Sequence, residues 1–274
     1  MNIFEAIFLG LLQGLTEFLP VSSSGHLVLF QRIMGLNDML LFDVILHAGT
    51  LTAVIIVFRK EVWECIKHPF GKTALCLIVA TVPAVIIAVF LHDFIESTFS
   101  GGYLGFGFLI TAVLLLVTGA AQKPVRGTGT LTASTGKTQS KTNEEKEITF
   151  KSALVMGLFQ GAAMLPGISR SGATLSGGLF CGLPKDKAAN FSFLMSVPII
   201  AAGAIYKIIG LSAVTQSYQL PPLIVGFFAA AVSGFIAVKL MLEITKKAKL
   251  HYFAIYLIIL GAFVLLNEYA FKLF

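Results

Sequence analysis

Six apolar runs, near residues 40–58, 73–91, 104–121, 191–209, 221–239 and 252–270, constrain this chain more than any other feature of its sequence. Each approaches the roughly 20 residues that a helix needs to cross a bilayer core. Inside lipid every backbone N–H and C=O must find a partner, and a single run achieves that only as a helix. Composition agrees with an integral membrane protein: 56% of residues are hydrophobic and 12% charged, with a mean hydropathy of +0.87. The net charge of +6 comes from basic residues that flank the apolar runs. The membrane explains them, and no nucleic-acid partner is expected. The start, "MNIFEAIFLG", carries Glu5 and no basic residue, so a cleaved leader is not expected. Cys65, Cys76 and Cys181 are odd in number and show no CxxC spacing, which reads as small apolar filler.

Two further apolar segments are interrupted. Residues 3–35 break at Pro20 and at Ser22 to Gly25, and residues 152–182 break from Pro166 to Gly172. Their arms are too short to span, and an open backbone at membrane depth survives only against protein or a wet cavity. Re-entrant helix–break–helix hairpins are expected, the alternative being four more tilted spans. "GLLQGLTEFLPVSSSG" (Gly10 to Gly25) matches "GLFQGAAMLPGISRSG" (Gly157 to Gly172) at an offset of 147 residues, with a one-residue shift at the Leu-Pro. Between the halves lies a polar stretch rich in Gly, Ser, Thr and charge, Gln122 to Lys151, which reads as a solvated linker. The expected organisation is a first repeat over 1–121, a linker over 122–151 and a second repeat over 152–274. The expected fold is all-α integral membrane, an inverted repeat of about three transmembrane helices plus one re-entrant hairpin per half. In such a plan the broken helices meet near the midplane.

Charge sets the expected direction. Following the six spans, sixteen of the twenty Lys and Arg residues fall on one side, including six in the linker. Only Arg32, Lys207 and Lys272 fall on the other, and Arg170 lies within the second break. The positive-inside rule then makes the linker cytoplasmic and turns both termini outward.

The two breaks hold the residues that suggest chemistry. Gln13 and Glu17 share one helix face, and Pro20 ends that helix. Ser22, Ser23 and Ser24 stand where a new helix starts, with free N–H groups and a positive dipole end suited to an anion. One serine is accounted for by N-capping alone. Gly25 admits a close ligand or simply the turn, and His26 adds a titratable group. The second break repeats the device with Ser169, Ser171, Gly172 and Thr174 and adds Arg170. A buried Arg needs an anion, either Glu17 or a phosphate. Two helix starts, hydroxyls, one Arg, one Glu and one His describe a phosphate site. There a hydroxyl or a water attacks phosphorus, Glu17 or His26 is the base, and Arg170 stabilises the transferring group. His47, Thr50, Ser192 and Ser196 either line the cavity or hydrogen-bond between helices. Trp63 and the tyrosines near span ends read as interfacial anchors.

At "QGLTE" (Gln13 to Glu17), "FLPVSSSGH" and "PGISRSGAT" (Pro166 to Thr174), the chain resembles the bacterial undecaprenyl pyrophosphate phosphatases of the bacitracin-resistance type. The resemblance covers all but the linker. It implies hydrolysis of undecaprenyl pyrophosphate to the monophosphate and phosphate, recycling the lipid carrier for wall synthesis at a site opening to the outer face. It carries catalytic roles to Glu17, Ser23, His26 and Arg170. Substrate binding falls to Gln13, Ser22, Ser24, Gly25, Ser169, Ser171, Gly172 and Thr174. Gln13 takes the form of the family's Glu/Gln-x-x-x-Glu element that lacks the first carboxylate, so no protein-held metal is expected. A Mg or Ca ion bound through the substrate pyrophosphate is what the resemblance leaves. A lipid-phosphate transporter on the same inverted-repeat plan is the rival reading. The other lipid-phosphatase class is opposed by the lack of any Arg-Pro pair.

Overall fold

The computed structural model describes residues 1–100, 102–122, 146–211, 219–247 and 250–273. Every regular element among them is helical: α1 (Ile3–Phe18), α2 (Ser23–Ile33), α3 (Leu40–Val57), α4 (Arg59–Lys67), α5 (Lys72–Phe90), α6 (His92–Ser100), α7 (Leu104–Ala121), α8 (Phe150–Ala162), α9 (Arg170–Phe180), α10 (Lys185–Leu211), α11 (Leu220–Lys247) and α12 (His251–Leu266), which runs into a π-helical turn at Asn267–Phe271. Six helical stretches are long and apolar enough to span: Leu40–Val57, Lys72–Phe90, Leu104–Ala121, Lys185–Ile209, Leu220–Thr245 and His251–Phe271. The protein is a multi-pass membrane protein. Most of the linker expected over 122–151 lies outside the described residues.

Each expected span is present, and two are longer than the apolar runs alone. α10 begins at Lys185, before the run near 191–209, and α11 continues to Lys247. Polar residues at a helix end need not leave the helix once the apolar centre has nucleated it. Two short helices escape a hydropathy reading. α4 buries none of its residues, and its Trp63 is largely exposed beneath the Lys67 ammonium, 5.5 Å from the ring centroid. That is the amphipathic composition of an interfacial helix.

The interrupted segments are pairs of short helices. α1 and α2 have 16 and 11 residues, and α8 and α9 have 13 and 11. At 1.5 Å per residue, 11 residues cover about 16 Å, half of a bilayer core. Glycines let the first arm of each pair lie directly on a span. A Cβ on Gly14 of α1 would stand 2.6 Å from the Ala230 carbonyl oxygen of α11. One on Gly157 of α8 would stand 2.4 Å from the Ala80 carbonyl oxygen of α5. α1 thus packs on α11 and α8 on α5, while α3 meets α10 and α7 meets α12. Small residues at such crossings gain dispersion where lipid offers no hydrophobic drive.

Candidate active site

The first break follows from its sequence. Leu19 is extended at φ −74°, ψ 148°, as a residue before proline prefers, so α1 ends at Phe18. α2 starts on an N-cap, Ser22, whose Oγ accepts from the Gly25 N–H at 3.3 Å. The second break does the same: the Ser169 Oγ accepts from the Gly172 N–H at 3.1 Å. The breaks lock together. Ser171 Oγ donates to the Leu19 carbonyl at 2.7 Å, and the Ser169 N–H donates to Thr111 Oγ1 of α7 at 2.9 Å. A Cβ on Gly25 would lie 2.6 Å from the Phe108 ring and 3.1 Å from Gly167 Cα. Glycine is required there for close approach.

Glu17 is the hub. It is buried, and its Oε1 accepts from Arg170 Nη2 at 2.5 Å. Oε2 accepts from Ser23 Oγ at 2.5 Å and from Gln13 Nε2 at 3.0 Å. His47 Nε2 of α3 stands 4.0 Å from the same Oε2. The α2 and α9 N-termini add their unpaired N–H groups and positive dipole ends on either side. A cavity of about 250 Å³ opens here, lined by Glu17, Ser23, Ser24, His47, Arg170 and Lys207 together with apolar side chains of the second break and α10. Arg170 keeps one buried nitrogen, Nη1, without a partner. A buried guanidinium nitrogen that is left over beside its carboxylate calls for an anion.

Of the residues expected at the site, Glu17, Ser23, Ser24, Ser169 and Arg170 line the cavity. Gln13 lies behind Glu17 and orients it. Ser22, Gly25, Ser171 and Gly172 form the turns and their mutual packing, and Thr174 is tied to Ser192 Oγ at 2.6 Å. His26 is turned away from the cavity. Its Nδ1 faces the Ser22 carbonyl at 2.7 Å, its Nε2 meets the Tyr256 hydroxyl of α12 at 2.6 Å, and the two rings stack 5.8 Å apart. A carbonyl only accepts, so Nδ1 donates and Nε2 accepts from the tyrosine. Tyr256 is therefore engaged within the fold, where a tyrosine near a span end reads from sequence as an interfacial anchor. Of the four residues left open between cavity and packing, His47 lines the cavity. Ser192 hydrogen-bonds between helices, from α10 to Thr174 of α9, while Thr50 and Ser196 bond to carbonyls of their own helices. Lys207, counted by sequence among the outward charges, reaches the cavity from α10.

A protein-held metal does not fit this lining. Glu17 is its one carboxylate, and both its oxygens are taken by Arg170, Ser23 and Gln13. No group of three or more His, Cys, Asp or Glu side chains among the described residues is placed to hold an ion.

The family described as "Bacitracin resistance protein BacA" matches residues 6–263. The chain belongs to the BacA family. An undecaprenyl-diphosphatase of Carboxydothermus hydrogenoformans is 46% identical over 277 residues, covering 99% of this chain and 100% of that relative. One from Halothermothrix orenii is 39% identical over 97% of this chain and 98% of its own length. Undecaprenyl-diphosphatase 3 of Bacillus cereus is 40% identical over 98% of both. The BacA match spans both breaks, so the buried Glu17–Arg170 centre lies within the shared region.

Proposed function

We propose that this chain hydrolyses undecaprenyl diphosphate to undecaprenyl phosphate and inorganic phosphate, recycling the lipid carrier for cell-wall synthesis and conferring resistance to bacitracin. The observation that carries the mechanism is the Ser23 hydroxyl, donated at 2.5 Å to a buried carboxylate that is paired with Arg170, both residues lining the cavity. Ser22 is spent on capping α2, which leaves Ser23 as the cavity hydroxyl paired with a base. The Ser23 Oγ forms a bond to the terminal phosphorus, and its proton passes to Glu17. The bond from that phosphorus to the bridging oxygen breaks, and the lipid monophosphate leaves. Arg170 and the N–H groups at the two helix starts hold the transferring group, whose charge they stabilise. Water then cleaves the phosphoserine. His26 acts through the backbone, holding the Ser22 carbonyl so that Ser23 faces Glu17. A Mg or Ca ion enters, where one is used, on the diphosphate itself.

The exchange of partners, α1 on α11 and α8 on α5, supports an inverted repeat in which each hairpin packs on the other half. The charge count supports a cytoplasmic linker, outward termini and a cavity reached from the outer face. A single Cys at Glu96, in a background without native Cys, should react with an impermeant outside thiol reagent, and one at Ser134 should not. The reverse pattern would refute the orientation. Phosphate release from a polyprenyl diphosphate by the purified protein, lost in Ser23→Ala, tests the activity. Lipid movement without phosphate release would favour a transporter instead.

A further inference from the structure

Hydrolysis of a phosphoserine sets two proton demands at once. The attacking water must lose a proton, and the Ser23 oxygen must regain one as it leaves. Under the reading above, Glu17 already holds the Ser23 proton when the phosphoserine forms, so it can return that proton but cannot also accept one from water. Glu17 is the one carboxylate in the lining. A second group is required, and α3 supplies it.

We infer that His47 is the general base of the second step. Its Nδ1 lies 2.7 Å from the Asp43 carbonyl oxygen, one turn earlier. That oxygen only accepts, so Nδ1 carries the ring proton and Nε2 of the neutral ring turns its lone pair outward. Nε2 stands 4.0 Å from Glu17 Oε2, and His47 lines the cavity beside Ser23. A water set to the side of that line can lie about 2.8 Å from each atom. This water attacks the phosphorus on Ser23 and gives its proton to His47 Nε2. The bond from phosphorus to Ser23 Oγ breaks, and Glu17 returns its proton to that oxygen. Phosphate leaves, and His47 releases its proton to the cavity. The charged groups around the ring are Glu17 of α1, Asp43 on its own helix, Lys207 of α10 and Arg170 of α9.

The inference rests on the proposed attack by Ser23, and the test separates the two. His47→Asn keeps a donor near the Asp43 carbonyl, and His47→Gln fills more of the cavity; neither is a base. Both should fold, with thermal stability in detergent close to the parent's. Turnover should fall about 10²-fold, the lower end for a general base, with KM changed little. Acid-quenched reactions should then show phosphate covalently held on Ser23, identified by peptide mass, at a level well above that of the parent protein. Parent-like turnover in a folded variant overturns the role of His47, and so does lost turnover without trapped phosphoserine. Phosphate release that survives Ser23→Ala overturns the covalent reading itself.

Discussion

The two breaks are built alike and work differently. Each has a glutamine in the last turns of its first helix, a Leu-Pro stop, a serine N-cap and a glycine three residues after that cap. At the offset of 147, Gln13 answers to Gln160, Ser22 to Ser169 and Gly25 to Gly172, while Glu17 answers to Met164 and Ser23 to Arg170. The retained pairs make architecture, since caps, close approaches and backbone turns are needed on both sides. The altered pairs carry the proposed chemistry: the first break supplies the buried carboxylate and the Ser23 hydroxyl, and the second supplies the cation. The backbone differs too. The second break places its left-handed residue on Gly167, at φ +82°, whereas the first places a positive φ of 70° on Ser22. A side chain in that region costs of order 1–3 kcal/mol, and it is the break holding Glu17 and Ser23 that carries this strain.

Breaking that division of labour should have graded effects. Glu17→Gln keeps the shape but removes the base and the partner of Arg170, and turnover should fall 10²- to 10⁴-fold. Phosphate release measured on protein of unchanged elution profile checks it. Ser23→Ala should lose about 10²-fold or more, against smaller losses for Ser22→Ala and Ser24→Ala. Ser22→Ala should show in stability instead, by about 1 kcal/mol for a lost cap. Equal, small effects on turnover from all three serines would remove the division between cap and nucleophile. Gly25→Ala pushes the first break off the Phe108 ring of α7 and off Gly167 of the second break and should cost about 1–3 kcal/mol, read as a lower melting temperature. Gly119→Ala is the counterpart outside the breaks. Nothing lies within 4 Å of its added Cβ, so the melting temperature should hold or rise slightly, by up to about 1 kcal/mol of helix propensity.

Much of this was legible in the chain itself. The spans follow from apolar length, because lipid leaves the backbone no alternative to a helix. The breaks follow from proline, serine and glycine, whose effects are local. The Glu17–Arg170 pair is legible in kind, since a buried Arg needs an anion, although the two residues lie 153 positions apart. What sequence leaves open depends on helix rotation and tertiary placement. His47 and Ser192 look alike as polar residues in apolar spans, yet one faces the cavity and the other is tied to Thr174. His26 sits inside the signature, yet its side chain is held by Tyr256, 230 positions away. Lys207 reads as a flank charge because its span length, not its direction, is visible in the sequence. The interfacial helix α4 was hidden for the opposite reason: its nine residues are too few and too polar for hydropathy to register.

Arg170→Lys tests most directly whether the second break acts on the substrate or only neutralises the first. Lysine preserves the charge and still pairs with Glu17, but it lacks the planar fork that grips carboxylate and phosphate together. Phosphate release should be measured beside thermal stability in detergent. A stable, well-inserted variant with turnover down about 10²-fold, the scale set by a misplaced reacting group, is the predicted result. Turnover near the parent's would contradict it and leave Arg170 as a structural counter-ion alone.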